Sequence, residues 1–235
     1  MKVSVLACDY DGTLAHDGVV FSKTAAALDR FRSSGRRLLM VTGRELPDLQ
    51  QVCPYLDRFE WIVAENGALL FRPSDNFSRL LCPPASAELA QKLGEAQAQP
   101  LSVGRAIIAT REPYETLVVT LIKDLGLELQ VIFNKGAVMV LPTGVNKATG
   151  LKAVLAEMKV EASTVAGVGD AENDHAFLSL CGVGVAVANA LPMLKERADI
   201  VTEGARGDGV IELIDRILAT DLRDVPPRKV PLPAR

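Results

Sequence analysis

Cysteine is scarce and scattered in this chain. Its four residues, Cys8, Cys53, Cys82 and Cys181, show no C-x-x-C spacing. Neither a disulfide framework nor a zinc site is signalled, and reduced, mostly buried thiols of a cytoplasmic protein are expected. A basic excess is lacking too. The net charge of −3 argues against a general nucleic-acid-binding surface. No apolar run is long enough to span a bilayer. The N-terminal run, Val3-Ser4-Val5-Leu6-Ala7, gives way at Asp9 and is too short for a signal peptide. What is there is 235 residues, 49% apolar and 23% charged, enough for one large domain or two modest ones with a real core.

Short apolar runs alternate with helical patterns. Strands are expected at Lys2–Cys8, Arg37–Val41 and Trp61–Ala64, with helices between them. One helix is capped by Ser22 and stopped by Gly35; another runs from Leu46 to Tyr55 with Pro47 in its first turn. Asn66-Gly67 reads as a tight turn into a further strand. Phe71–Pro84, with Pro73, Pro83 and Pro84, reads as a boundary. The block that follows combines helices with a strand pair around Asn134-Lys135-Gly136 and reads as a small α+β unit. The first pattern resumes near Asn146, with strands at Thr164–Val168 and Gly184–Val187 and a final helix over Val210–Leu218. Buried strands alternating with helices predict a Rossmann-like parallel α/β sheet. The expected division is a core of residues 1–72 and 146–221, an inserted α+β cap of 73–145, and a Pro-rich tail of 222–235, extended or disordered.

Polar residues collect at the C-terminal ends of these strands: Asp9 and Asp11, then Thr42, then Asn66, then Asp170, Asn173 and Asp174. Each taken singly is an ordinary cap or turn residue. Together they mark the edge where open parallel sheets bind ligands, and Lys147 can join them at the start of a helix. Four converging aspartates repel one another unless a cation lies among them. Hard oxygen donors with an incomplete protein shell suit Mg²⁺, which also takes phosphate oxygens. A metal, a lysine and neutral donors such as Thr13 and Thr42 suit a phosphoryl group. Alternate residues of a strand face one way, so Asp9 and Asp11 can address one centre, one as nucleophile and the other as proton carrier.

The segments DYDGTL, VTGR, GVNKATGL and GDAENDHAFL, in that order, resemble the four signature motifs of the haloacid dehalogenase superfamily of phosphohydrolases. The insertion between ENGALLF and Lys147 resembles the C2-capped branch, with its Cof-type and sucrose-phosphate-phosphatase-like members, as does the stretch VAVANALPMLKERADIVTEGARGDGVIELI. The compact cap is similar to that of archaeal-type phosphoglycolate phosphatases. The likeness runs from about Val3 to Leu218. It implies a Mg²⁺-dependent phosphatase for a small phosphomonoester, a sugar phosphate or a phosphoglycolate-like compound. By this resemblance Asp9 is the nucleophile and a metal ligand. Asp11 is the general acid/base and gives the metal its backbone carbonyl. Thr42 and Lys147 hold the phosphoryl group; apart from the resemblance, Gly43, Arg44 and Asn66 are further candidates for binding it. Asp170 and Asp174 are metal ligands, the latter directly or through water, and Asn173 is a further candidate.

Arg44 can reach substrate or pair with a carboxylate, and Asn66 can face substrate or simply form the turn. His16 and His175 are expected to be structural. Arg105, Arg111, Asn134 and Lys135 of the cap can read the leaving group or belong to a solvated face. Two other functions share these motifs or their fold: a phosphohexose mutase or other phosphotransferase, and a non-catalytic regulatory binding module. A homodimer is left open.

Overall fold

The computed structural model describes residues 2–226. Strand β1 (Val5–Cys8) is followed by helix α1 (Ser22–Ser33), which buries Ala25, Ala27, Leu28 and Phe31. Ser22 is the first helical residue rather than the expected cap; Phe21 precedes the helix and gives it no side-chain cap. Strand β2 (Arg37–Val41) leads to α2 (Leu46–Val52). That helix is shorter than expected because Cys53, ahead of Pro54, is held at φ −111°, ψ 102°, the extended region that a following proline imposes. Strand β3 (Trp61–Ala64) and β4 (Leu69–Arg72) come next, then β5 (Phe77–Leu80).

The insertion contains α3 (Ala87–Glu95), β6 (Ser102–Val103), β7 (Ile108–Arg111), α4 (Glu115–Asp124), β8 (Leu129–Asn134) and β9 (Ala137–Pro142). Ser86 caps α3 by accepting from the Leu89 N–H at 3.2 Å. Lys135 and Gly136, at φ +48° and +82°, form the two-residue turn of the β8–β9 hairpin, where the matching twist needs positive φ at both positions. The four strands form an antiparallel sheet in the order β6-β7-β9-β8. Leu89, Leu93, Ile108, Val118, Val138 and Val140 make its own apolar core against the two helices.

The chain then re-enters the first layer through α5 (Lys147–Met158), β10 (Val165–Gly169), α6 (His175–Leu180), β11 (Val183–Ala186), α7 (Pro192–Lys195), β12 (Ile200–Val201) and α8 (Gly207–Thr220). The main sheet has eight strands in the order β12-β11-β10-β1-β2-β3-β4-β5. It is parallel from β12 to β3 and antiparallel at β4 and β5. Every residue of β1, β3, β10 and β11 is buried, as required of a sheet covered on both faces; α1 packs with α8, and α5 with α6. The α/β fold class, with its inserted α+β unit, is therefore as expected. Successive strands step one way from β1 to β2 and the other way from β10 to β11. The C-terminal ends of β1, β2 and β10 meet at the point where the order reverses.

One expected boundary moves. Phe77–Leu80 hydrogen-bonds to β4 in register from Leu69–Leu80 to Arg72–Phe77, so the chain stays in the main sheet past residue 73 and leaves it only after Leu80. The Arg72–Asp75 ion pair at 2.7 Å and the edge-on contact of Phe77 with Trp61 hold this hairpin. At the other end, Leu222 is buried against the core, while residues 227–235 of the expected tail lie outside the described residues. Three of the four cysteines, Cys8, Cys53 and Cys181, are buried. Among the described residues no helix is long and apolar enough to cross a membrane.

Candidate active site

The site is built on Lys147, the first residue of α5, whose N-terminus is set by an Asn146 capping box. Its side chain is 1% exposed, and its ammonium donates to Asp9 Oδ1 and to Asp174 Oδ1, both at 2.6 Å. A cation at a helix N-terminus opposes the helix dipole; the two carboxylates offset that and desolvation. Burial would depress the Lys147 ammonium, but Asp174 and Asp9 together raise it above its ordinary value. The other oxygen of Asp174 accepts from the Asp170 and Ala171 N–H groups at 2.8 and 2.9 Å. Asp170 is fully buried and accepts from Thr13 Oγ1 and Asn189 Nδ2, each at 3.2 Å, and from the Lys135 ammonium of the cap.

Asp9, Asp170 and Asp174 each present an oxygen within 4.8 Å of the others. Burial, then the charge of Asp174, pushes the Asp9 carboxyl well above the usual range, with Lys147 opposing. Burial also raises Asp170 against the pull of Lys135. A buried cluster of carboxylate oxygens that is short of positive charge is a donor set that fits a hard divalent cation. Gly12 is required beside it: at φ +81°, a Cβ there would lie 2.2 Å from Asp170 Oδ2. The neighbouring Cys8 thiol is pushed up by burial and by Asp9, so it offers no thiolate nucleophile.

The expected i, i+2 strand geometry for the two motif aspartates does not hold. Strand β1 ends at Cys8, so Asp9 and Asp11 lie on the turn beyond it. Both still line one cleft of about 310 Å³. The Asp11 carboxylate is gripped by Arg44, Nε to Oδ2 at 2.6 Å and Nη2 to Oδ1 at 2.7 Å. Of the two roles open to Arg44, the structure thus has it pairing with carboxylates, since its Nη1 also meets Asp48 at 2.6 Å. Thr42 is buried, and its hydroxyl accepts from the Arg44 N–H at 3.1 Å. Gly43 lines the cleft. Asn66 and Asn173 are joined by an amide hydrogen bond of 3.0 Å, and the other half of each amide has no protein partner. His175 lies against Arg197.

The cap closes the cleft with Ile107, Met139 and Asn134. Sequence reasoning did not single out Asn189, which holds both Asp170 and the Gly12 carbonyl. It sits three residues beyond β11, so the strand-end rule that found the others could have found it. A second cleft, of about 300 Å³, lies by the start of β2 and is ringed by Arg32, Arg36, Arg37 and Arg58. Three of those arginines are tied to Asp221, Glu60 and Asp29, which leaves no comparable concentration of one charge.

The sequence profile of the haloacid dehalogenase-like hydrolases matches residues 6–99 and 86–214. A protein of Saccharolobus solfataricus, phosphoglycolate phosphatase 2, is 32% identical over 222 residues, covering 92% of this chain and 92% of that one. The phosphoglycolate phosphatase of Methanothermobacter thermautotrophicus is 32% identical over 222 residues, covering 91% and 98%. In fold, the chain is similar to the crystal structure of a haloacid dehalogenase-like hydrolase from Bacteroides thetaiotaomicron, with a TM-score of 0.75 at 21% identity over 92% of this chain and 100% of that one.

Proposed function

The chain belongs to the haloacid dehalogenase-like hydrolases and is a phosphoric monoester hydrolase; from that premise we propose a Mg²⁺-dependent phosphatase for a small, phosphoglycolate-like phosphomonoester, acting through an aspartyl phosphate on Asp9. The observation that carries the reading is the buried Lys147 ammonium held 2.6 Å from both Asp9 and Asp174 at the wall of a small cleft. The relatives that match along almost the whole chain are phosphoglycolate phosphatases, which supports the substrate class.

In the proposed reaction an Asp9 oxygen bonds to phosphorus as the bond to the leaving oxygen breaks, and Asp11 gives that oxygen its proton. A water molecule then attacks the aspartyl phosphate and passes its proton to Asp11. The Asp9–phosphorus bond breaks and inorganic phosphate leaves. Thr42 and Lys147, with Gly43 and Asn66 around them, orient the phosphoryl group, while Arg44 holds the Asp11 carboxylate. Asp9, Asp170 and Asp174 would hold Mg²⁺, with the Asp11 carbonyl and Asn173 as further candidates. The ion supplies positive charge to the carboxylate cluster and to the phosphoryl oxygens.

Phosphate release from a panel of phosphorylated metabolites, with Mg²⁺ and with excess EDTA, tests this. The expected result is the highest kcat/KM for phosphoglycolate and none with EDTA. A preference for hexose phosphates would overturn the substrate class. Full activity in EDTA would overturn the metal, and no release from any ester would overturn the reading as a whole.

A further inference from the structure

Glu65 has a burial that its charge does not explain. It is 0% exposed, and among the described residues no lysine, arginine or histidine forms an ion pair with it. Its backbone is left-handed at φ +49°, as is that of Asn66 at +54°, a region that non-glycine residues hold only when their surroundings impose it. The carboxylate is met instead by three consecutive backbone N–H groups of the cap. Arg105 donates to Oε1 at 3.0 Å, and Ala106 and Ile107 donate to Oε2 at 2.7 and 3.1 Å. Successive amides pointing into one concavity form an anion-binding nest. Here the nest is the turn between β6 and β7, closed by the Gly104 N–H to the Ile107 carbonyl at 2.8 Å. Gly104 permits the approach, because a Cβ there would lie 2.9 Å from the Glu65 carboxylate.

The other side of Glu65 is fastened to the core. Its N–H donates to the Arg44 carbonyl at 2.9 Å, and the next N–H, of Asn66, to the Thr42 carbonyl at 3.0 Å. One residue therefore joins the loop after β2 to the turn that starts β7. Ile107 and Ala109, at and just beyond that turn, line the same cleft as Asp9. Ala68, Ala106, Ile107, Met139 and Leu141 form an apolar seam beside it between cap and core. Separating cap from core at this point would break three charge-assisted hydrogen bonds at once, and their net loss to water opposes opening.

We propose that Glu65 is a positioning residue whose carboxylate latches the cap to the core and holds the leaving-group wall of the cleft at a set distance from Asp9. The part of this that concerns leaving groups rests on the phosphatase reading; the latch itself does not. Cap closure at this seam is then a permanent feature, and the cleft selects substrates by a preset size.

The test compares the native chain with Glu65→Gln, which keeps the shape but turns an NH₂ group toward the amides, and with Gly104→Ala, which pushes the turn away without altering Glu65. Amide hydrogen exchange is the first readout. Arg105, Ala106 and Ile107 should exchange at least about tenfold faster in both variants, the loss expected for one charge-assisted hydrogen bond, while amides of β1 and β2 keep their protection. The second readout is kinetic. KM for phosphoglycolate should rise about tenfold, with kcat for p-nitrophenyl phosphate within about threefold of native, because only the leaving-group wall has moved. Unchanged exchange at residues 105–107 in Gly104→Ala would overturn the latch. Faster exchange with equal kinetic losses for both esters would overturn the link to the leaving-group wall. If no ester is turned over by the native chain, the exchange data still decide the latch.

Discussion

The ammonium of Lys135, on the tight turn between β8 and β9 of the cap, donates to Asp170 Oδ2 at the end of core strand β10. The Lys135 side chain is 42% exposed and that of Asp170 fully buried. The backbone N–H of Lys135 approaches Glu172 Oε2 at 3.4 Å, so the same turn is held at two points. The cap thus lays a positive charge on a carboxylate of the cluster that fits a divalent cation.

Lys135 and a divalent cation therefore compete for Asp170. We expect Lys135→Met to bind Mg²⁺ more tightly in a calorimetric titration. With its lysine 42% exposed, the pair is worth on the order of 1 kcal/mol, so a gain of about fivefold is expected. Equal or weaker binding by the variant would show that Lys135 is no competitor.

The two motif aspartates should fail in different ways. Asp9→Asn removes the covalent route whatever the leaving group, so no burst of nitrophenol should appear with p-nitrophenyl phosphate. Asp11→Asn removes a proton donor worth about 10²–10⁴-fold for a poor leaving group, but nitrophenolate leaves without that proton. Rapid-mixing experiments should show a nitrophenol burst for Asp11→Asn followed by slow turnover. Loss of the burst in both variants alike would remove the division of labour.

Metal binding should be visible as stability, independently of turnover. At a hundredfold excess over its Kd, a ligand of the folded state adds about 2.7 kcal/mol, or roughly 5–10 °C in Tm for a chain of this length. Asp170→Asn should lose most of that rise. Burial, then the charge of Asp174, raises Asp9 in the folded, metal-free protein, and burial raises Asp170. A raised carboxyl stabilises the fold fully below its unfolded value, near pH 4, and that contribution is lost as pH rises through the folded value. Calorimetric scans in EDTA should therefore show the Tm difference between the native chain and Asp9→Asn shifting against the native chain as pH is raised from about 4 toward neutrality, and Mg²⁺ should raise Tm of the native chain most at the higher pH. A metal effect that is equal at both ends would contradict this sign.

Gly12 and Gly18 share a left-handed backbone, at φ +81° and +79°, but a Cβ at Gly18 would have only Arg44 Nη2 nearby, at 3.5 Å. Gly18→Ala should therefore cost about 1–2 kcal/mol from backbone strain alone and keep the Mg²⁺-dependent rise in Tm. Gly12→Ala carries the same strain and also drives a methyl group into Asp170, so it should lose that rise. Retention of the full metal response by Gly12→Ala would show that Asp170 can move without consequence.

Much of the main sheet was legible because its signals are local. Four-residue apolar runs such as Trp61–Ala64 cannot lie exposed, and the polar residues that end them stand in sequence beside the strands that carry them. That is why Asp9, Thr42, Lys147, Asp170 and Asp174 could be grouped before any coordinates, and the structure brings the side chains of Asp9, Lys147, Asp170 and Asp174 together. Strand β5 escaped notice because Phe77-Ser78-Arg79-Leu80 is an exposed edge with no apolar run and prolines on both flanks.

The sequence by itself determined the alternation of buried strands and helices, the place of the insertion, which carboxylates stand at the strand ends and which lysine opens a helix, since each follows from side chains within a few residues of one another. Tertiary structure alone decided that Arg44 grips Asp11, that Asn189 reaches Asp170, that Lys135 lies 35 positions in sequence from the aspartate it meets, and that Glu65 is buried in a nest of amides some 40 residues away. Those pairings join groups that propensity and spacing treat as independent. They exist because an inserted unit folds back over the sheet edge, where burial leaves each charge only the partners that the two layers present.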